Sequence, residues 1–214
     1  MSNLRTPSHP YTEESTNHLY ELLFCDHIEQ YKQNHQQPGE YPWNILFSGQ
    51  ASPADLQQVV SDKTSEIRVK ILACNQLLAL GHQPNKRELL AVIVEVDLEG
   101  GLDVVASFQD GTARYINQSG KVIIWETQNE QSTALTQQLF QESAKIVQQI
   151  GPWNDVRRPH PTTGNLRITF LVSDGLYFGE GPSNVLFQDP MAVPALQAAG
   201  RLMQYLTEQV LNAN

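Results

Sequence analysis

Arg157, Arg158 and His160 stand close together in WNDVRRPHPTTGN, a proline-stiffened stretch that begins at Trp153. Planar guanidinium groups bind carboxylates and phosphates bidentately, so this basic group could clamp an anion. The plainer possibility is a solvated loop whose arginines pair with acids of the body. The tripeptide PWN occurs twice, around Trp43 in YPWN and around Trp153 in GPWN. The two tryptophans are either twin walls of one aromatic pocket or independent hydrophobic anchors beside turn-forming asparagines. FLVSDGLYFGEGP adds Asp174, Tyr177 and Glu180. A type I′ hairpin at Asp174–Gly175 would place Gly179 opposite Phe170. The segment Asp174–Asn184 would then run beside the point where the Trp153–His160 loop arrives. Trp43, Trp153, Arg157, Arg158, His160, Asp174, Tyr177 and Glu180 are therefore the candidate ligand or partner surface. Loop arginines paired with Asp155 or Glu180 remain the competing reading.

Other chemistry finds less support. Cys25-Asp26-His27 invites a thiol–imidazole reading, but residues this close on a helix point in divergent directions. Cys74 falls on an apolar stripe, so both cysteines read as unpaired structural thiols. The six histidines show neither a zincin spacing nor a CxxC partner. Phosphate-loop, dinucleotide and nucleophile-elbow motifs are missing. No catalytic residue, cofactor or metal is expected on these grounds.

The formal net charge of -9 argues against nucleic acid, whose phosphates need a basic face. No apolar run approaches the roughly 18 residues of a membrane helix. The N-terminal residues lack a secretory h-region, so the expected location is cytoplasmic.

These candidates need a scaffold, and 214 residues with 40% hydrophobic content can bury one core. Residues 1–11 read as a flexible tail and 12–214 as a single α+β domain. A first helix is predicted from Thr12 through Tyr20, Phe24, Ile28 and Tyr31. YPWNILF reads as extended, Ser52-Pro53 as a helix start, and Ile67 to Leu78 as a helix capped by Gly81. Leu90 to Trp125 reads as a four-stranded antiparallel meander.

A two-residue turn at Asp110–Gly111 would pair Phe108 with Ala113 and Ala106 with Tyr115. The next turn, NQSG, would pair Tyr115 with Val122. The other face would then mix Ile93, Val105, Ile116, Ile123 and Trp125 with Glu95, Asp103, Thr112 and Arg114. That face is either covered by a helix or left as a partner surface. A helix from Thr133 to Ile150, the hairpin at Asp174 and a C-terminal helix ending near Leu211 complete the chain. No second copy of the DGTARYINQSGKVIIWE pattern follows, so it is a sheet and not a repeat array.

With IGPWN, the motifs DGTARYINQSGKVIIWE and FLVSDGLYFGEGP resemble a family of bacterial hypothetical proteins, across most of the chain beyond its N-terminal tail. That resemblance implies a bacterial cytoplasmic protein and transfers no functional residue. The favoured expectation is a non-enzymatic interaction or chaperone-like adaptor using a sheet face or edge, with another protein as partner. Its element order is shared by secretion-chaperone-like and profilin-like binding folds, an analogy of fold alone. The alternative is an enzyme or small-ligand binder with an anion-accepting pocket near Trp153–His160 and Asp174–Asn184. A deep concavity there would favour the second reading, and a flat surface the first.

Overall fold

A computed structural model describes residues 9–34 and 39–212. Most of the proposed flexible tail lies outside these residues, but Tyr11 does not behave as tail. It is buried, its hydroxyl donates to the Leu102 carbonyl at 2.9 Å, and its amide donates to Asn17 Oδ1 at 2.9 Å.

Among the described residues, five helices precede the sheet: α1 (Glu14–Leu22), α2 (Ile28–Asn34), α3 (Trp43–Leu46), α4 (Pro53–Ser61) and α5 (Ile67–Ala79). The strands are β1 (Leu89–Leu98), β2 (Gly101–Phe108), β3 (Ala113–Ile116), β4 (Val122–Trp125), β5 (Asn165–Val172) and β6 (Gly175–Pro182). Between β4 and β5 comes α6 (Glu130–Val147); α7 (Ser183–Leu186) and α8 (Val193–Asn212) follow β6. The strands form one antiparallel sheet in the order β4-β3-β2-β1-β5-β6. The chain is thus one α+β unit, as its patterning indicates.

Helices lie on both faces of the sheet. Ala91, Ile93, Leu102, Val104, Ala106, Phe108 and Ile116 pack with the N-terminal helices, and Val92, Val94, Val105, Ala113, Ile168 and Phe170 pack with α6 and α8. This double burial explains why β1 reads as the nearly unbroken apolar run LLAVIV rather than alternating. The residues expected to share the second face divide between the two: Val105, Ile123 and Trp125 lie with α6 and α8, whereas Ile93 and Ile116 pack with the N-terminal helices, so each group is under helices.

Local rules account for several boundaries. Ser52 and Asp55 form a reciprocal capping box, with Pro53 at the first helical position of α4. Helix α5 ends in a Schellman motif: Gly81 takes a φ of 79°, its amide reaches the Leu78 carbonyl, and that of His82 reaches Leu77. Asn129 and Ser132 form a second box that starts α6 earlier than the expected Thr133.

Four further expectations are corrected. The first helix does not run through to Tyr31. Cys25 adopts a φ of 52°, and the Tyr31 hydroxyl lies 2.6 Å from the Leu22 carbonyl at the break. Cys25 is therefore at a helix break and not inside a helix; it and Cys74 are both buried and unpaired. YPWNILF contains the short helix α3, whose final carbonyl, on Leu46, accepts from Gln76 Nε2.

The third correction concerns the meander. Phe108 and Asn117 each open a three-residue turn whose third residue, Gly111 or Gly120, has φ near +80° (85° and 82°). The pairs are consequently Ala106–Arg114 and Tyr115–Ile123. One extra turn residue reverses the faces of β3, so Ala113 and Tyr115 join the α6–α8 side while Ile116 faces α1–α5. In the fourth, β5–β6 pairs Phe170 with Tyr177 and Gly179 with Ile168, a two-residue displacement that preserves the faces.

Candidate functional site

The loop singled out by its basic residues does meet the β5–β6 hairpin. The Trp153 amide donates to the Leu176 carbonyl at 2.7 Å, and the Trp153 and Phe178 rings meet edge-on at 5.2 Å. Arg158 is exposed and lies over both rings, 4.9 Å from Trp153 and 5.3 Å from Phe178. Its neighbour behaves differently. Arg157 is buried, with Nη2 at 2.6 Å from Glu21 and Nε at 2.6 Å from Asp26. Its guanidinium carbon sits 3.6 Å from the centre of the Phe24 ring. Burial alone would lower its pKa, but the two carboxylates outweigh that and raise it. Arg157 already has its anions, and they come from α1 and the residues just after it.

The other candidates are dispersed. Tyr177 is buried, with its hydroxyl between Arg87 and Asp174, and Arg87 Nε pairs with Asp174 at 3.0 Å. Glu180 pairs with Arg167 at 2.8 Å, and His160 is partly buried. Trp43, on α3, stacks with Tyr31 and with Phe47, so Trp43 and Trp153 have separate aromatic neighbours.

Sequence reading passed over a buried charge centre between the sheet and α1. Glu95, in the middle of β1, is 0% exposed and accepts from the Tyr20 hydroxyl at 2.6 Å. Arg167, opposite it on β5, approaches Glu95 at 3.8 Å and donates to the carbonyls of Arg158 and Pro159. It thereby ties the basic loop to the sheet.

Desolvation raises the Glu95 pKa above its usual 4.5, with Arg167 opposing. A raised folded-state pKa means that the fold prefers the protonated carboxyl. The associated stability is full below 4.5 and is lost as pH rises through the folded value. Glu95→Gln, which keeps the acceptor for Tyr20, should therefore gain thermal stability relative to the parent as pH rises from about 4 to about 8. Melting curves across that range check this; a constant difference would show that Glu95 does not titrate differently in the folded and unfolded chain.

A second feature is open to solvent. Between α8 and the β1–β3 end of the sheet lies a groove of about 300 Å³. Val96, Leu98 and Tyr115 contribute from the strands, Phe187 from beyond α7, and Gly200 and Met203 from α8. Phe187 is 53% exposed, and Val185 and Met191 on the same segment are also exposed. Asp103 is the one charged lining residue; its carboxylate accepts from the Gln118 amide at 2.6 Å and from the Tyr115 hydroxyl at 3.3 Å. Burial, with Asp103 second, pushes the Tyr115 hydroxyl up to about 12, so it stays a donor at neutral pH.

Gly200 lies within the long helix α8, where glycine is less favourable than alanine by about 1 kcal/mol. No close approach requires it, since a Cβ built there meets nothing within 4 Å. Glycine at that position keeps the helix wall of the groove low.

Among the described residues, no cluster of His, Cys, Asp or Glu could hold a metal, and no helix is long and apolar enough to cross a membrane. The fold and groove together define a three-layer module, an antiparallel sheet between two helical layers with an apolar cleft at its rim. Comparison of the chain with protein-family models, curated proteins and solved structures gives no match.

Proposed function

We propose that the protein is a non-catalytic interaction module whose working surface is the groove between α8 and the β1–β3 end of the sheet, filled by apolar side chains of a partner protein. With both sheet faces under helices, an adaptor role passes to this rim. The observation that carries the reading is Gly200. It accepts a helix penalty with no steric need and leaves the space above it unfilled. A cavity of roughly 150 Å³ holds a benzene-sized group, so the groove has room for about two. Half-exposed Phe187 offers an aromatic contact at its lip, the residue type that interfaces favour.

Of the two candidate arginines, the anion-accepting alternative keeps Arg158, stacked on Trp153 and Phe178, because Arg157 is held by Glu21 and Asp26. It is the weaker reading.

Gly200→Leu and Gly200→Ala separate groove use from folding. Gly200→Ala should gain about 0.5–1 kcal/mol in stability. Gly200→Leu should remain folded and fill the groove. The neutral dye Nile red should bind the parent protein with blue-shifted emission, and Gly200→Leu should weaken that binding at least about tenfold. Dye binding that is missing in the parent, or unchanged in Gly200→Leu, overturns the reading.

A further inference from the structure

We infer that the occupant of the groove is a basic amphipathic helix, its apolar side chains in the cleft and its Lys or Arg residues towards the β1–β2 tip; this rests on the groove being the working surface.

The argument is one of charge and shape. No lysine or arginine lines the groove, and its single charge is the Asp103 carboxylate. Glu99 stands exposed at the adjoining tip, where Leu98 pairs with Gly101 and the strand turns. The whole chain carries a formal charge of -9. An acidic partner helix would meet like charge at this end, whereas a basic one is steered in and held. On α8 the wall is formed by Leu196, Ala199, Gly200 and Met203, which share one face at helical spacing. Small residues at the centre let another helix approach closely, and a flexible thioether at the end adapts to its side chains. A helix that seats two neighbouring apolar side chains, at i and i+3 or i+4, matches a cleft of this size.

Two fluorescent peptides of about 16 residues test the inference, long enough to form helix on binding. They share one leucine face and differ only in flanking Lys or Glu. Fluorescence anisotropy with the full chain should show the Lys peptide binding at least about tenfold more tightly. Added salt should weaken it, and Glu99→Lys, an exposed change, should narrow the preference. The Lys peptide should also displace Nile red.

Equal affinity for both peptides, or preference for the Glu peptide, overturns the inference. Nile red binding that neither peptide displaces also overturns it and leaves a groove for a small apolar ligand. No Nile red binding by the parent protein sinks the groove reading itself, so the two failures are distinguishable.

Discussion

Arg157→Met is expected to destabilise the folded protein by about 3–5 kcal/mol, the usual penalty for removing one partner of a buried ion pair. Methionine keeps much of the apolar stem but no charge. Glu21, whose side chain is 3% exposed, would then lose its 2.6 Å ion pair with Arg157, and Asp26 would lose its own 2.6 Å contact with the same guanidinium. The contact over Phe24 would go as well. Chemical denaturation of the variant at neutral pH measures the loss. Adding Glu21→Gln to Arg157→Met should recover part of it, because one buried negative charge that Arg157 balanced is then removed. A loss below about 1 kcal/mol, typical of exposed pairs, would show that these charges are solvated.

Gly101→Ala is the second large effect, expected at about 2–3 kcal/mol, the upper range for forced overpacking. An added Cβ would stand 2.1 Å from the Gln118 carbonyl oxygen, and backbone cannot swing aside as a side chain can. The β3–β4 turn would be displaced, and with it the 2.6 Å bond from the Gln118 amide to Asp103. Gly100→Ala is the matched control. Gly100 has a φ of 95° but nothing within 4 Å of its Cβ, so only local backbone strain should appear, about 1 kcal/mol. Thermal melts of both variants decide the matter. If Gly101→Ala costs no more than Gly100→Ala, the two hairpin tips are not locked together.

Much of the scaffold is written in local chemistry. Ser52-Pro53, Gly81 and the apolar runs of β1 and β5 each state their role through capping, positive φ or double burial. The meander register is less legible, because glycine serves a two-residue I′ turn and a three-residue turn equally well. Asp110-Gly111 permits both, and the choice reverses which side of β3 is buried. Side-chain pattern could not arbitrate, since Ala113, Tyr115 and Ile116 are acceptable on either face of a sheet covered on both sides.

The candidate site shows the same limit at longer range. Adjacent Arg157 and Arg158 look equivalent in sequence, yet one is held by Glu21 and Asp26 and the other stacks in the open on Trp153 and Phe178. Those acids are far away in the chain and follow no spacing rule. The groove draws on strands, the residue after α7 and α8, so no contiguous motif announces it. Its one local trace is Gly200, a glycine in the middle of a helical run that does not end the helix.

The pairing of Arg157 with Glu21 joins residues 136 apart. On a ribosome adding about 5–20 residues per second, the guanidinium emerges roughly 7–27 s after the carboxylate it neutralises. During that interval α1 is an acidic segment that is better left in water than sealed against apolar neighbours. Burial of Glu21 is offset by Arg157 only once the loop before β5 has been made, so this contact of the N-terminal layer can form only late in synthesis.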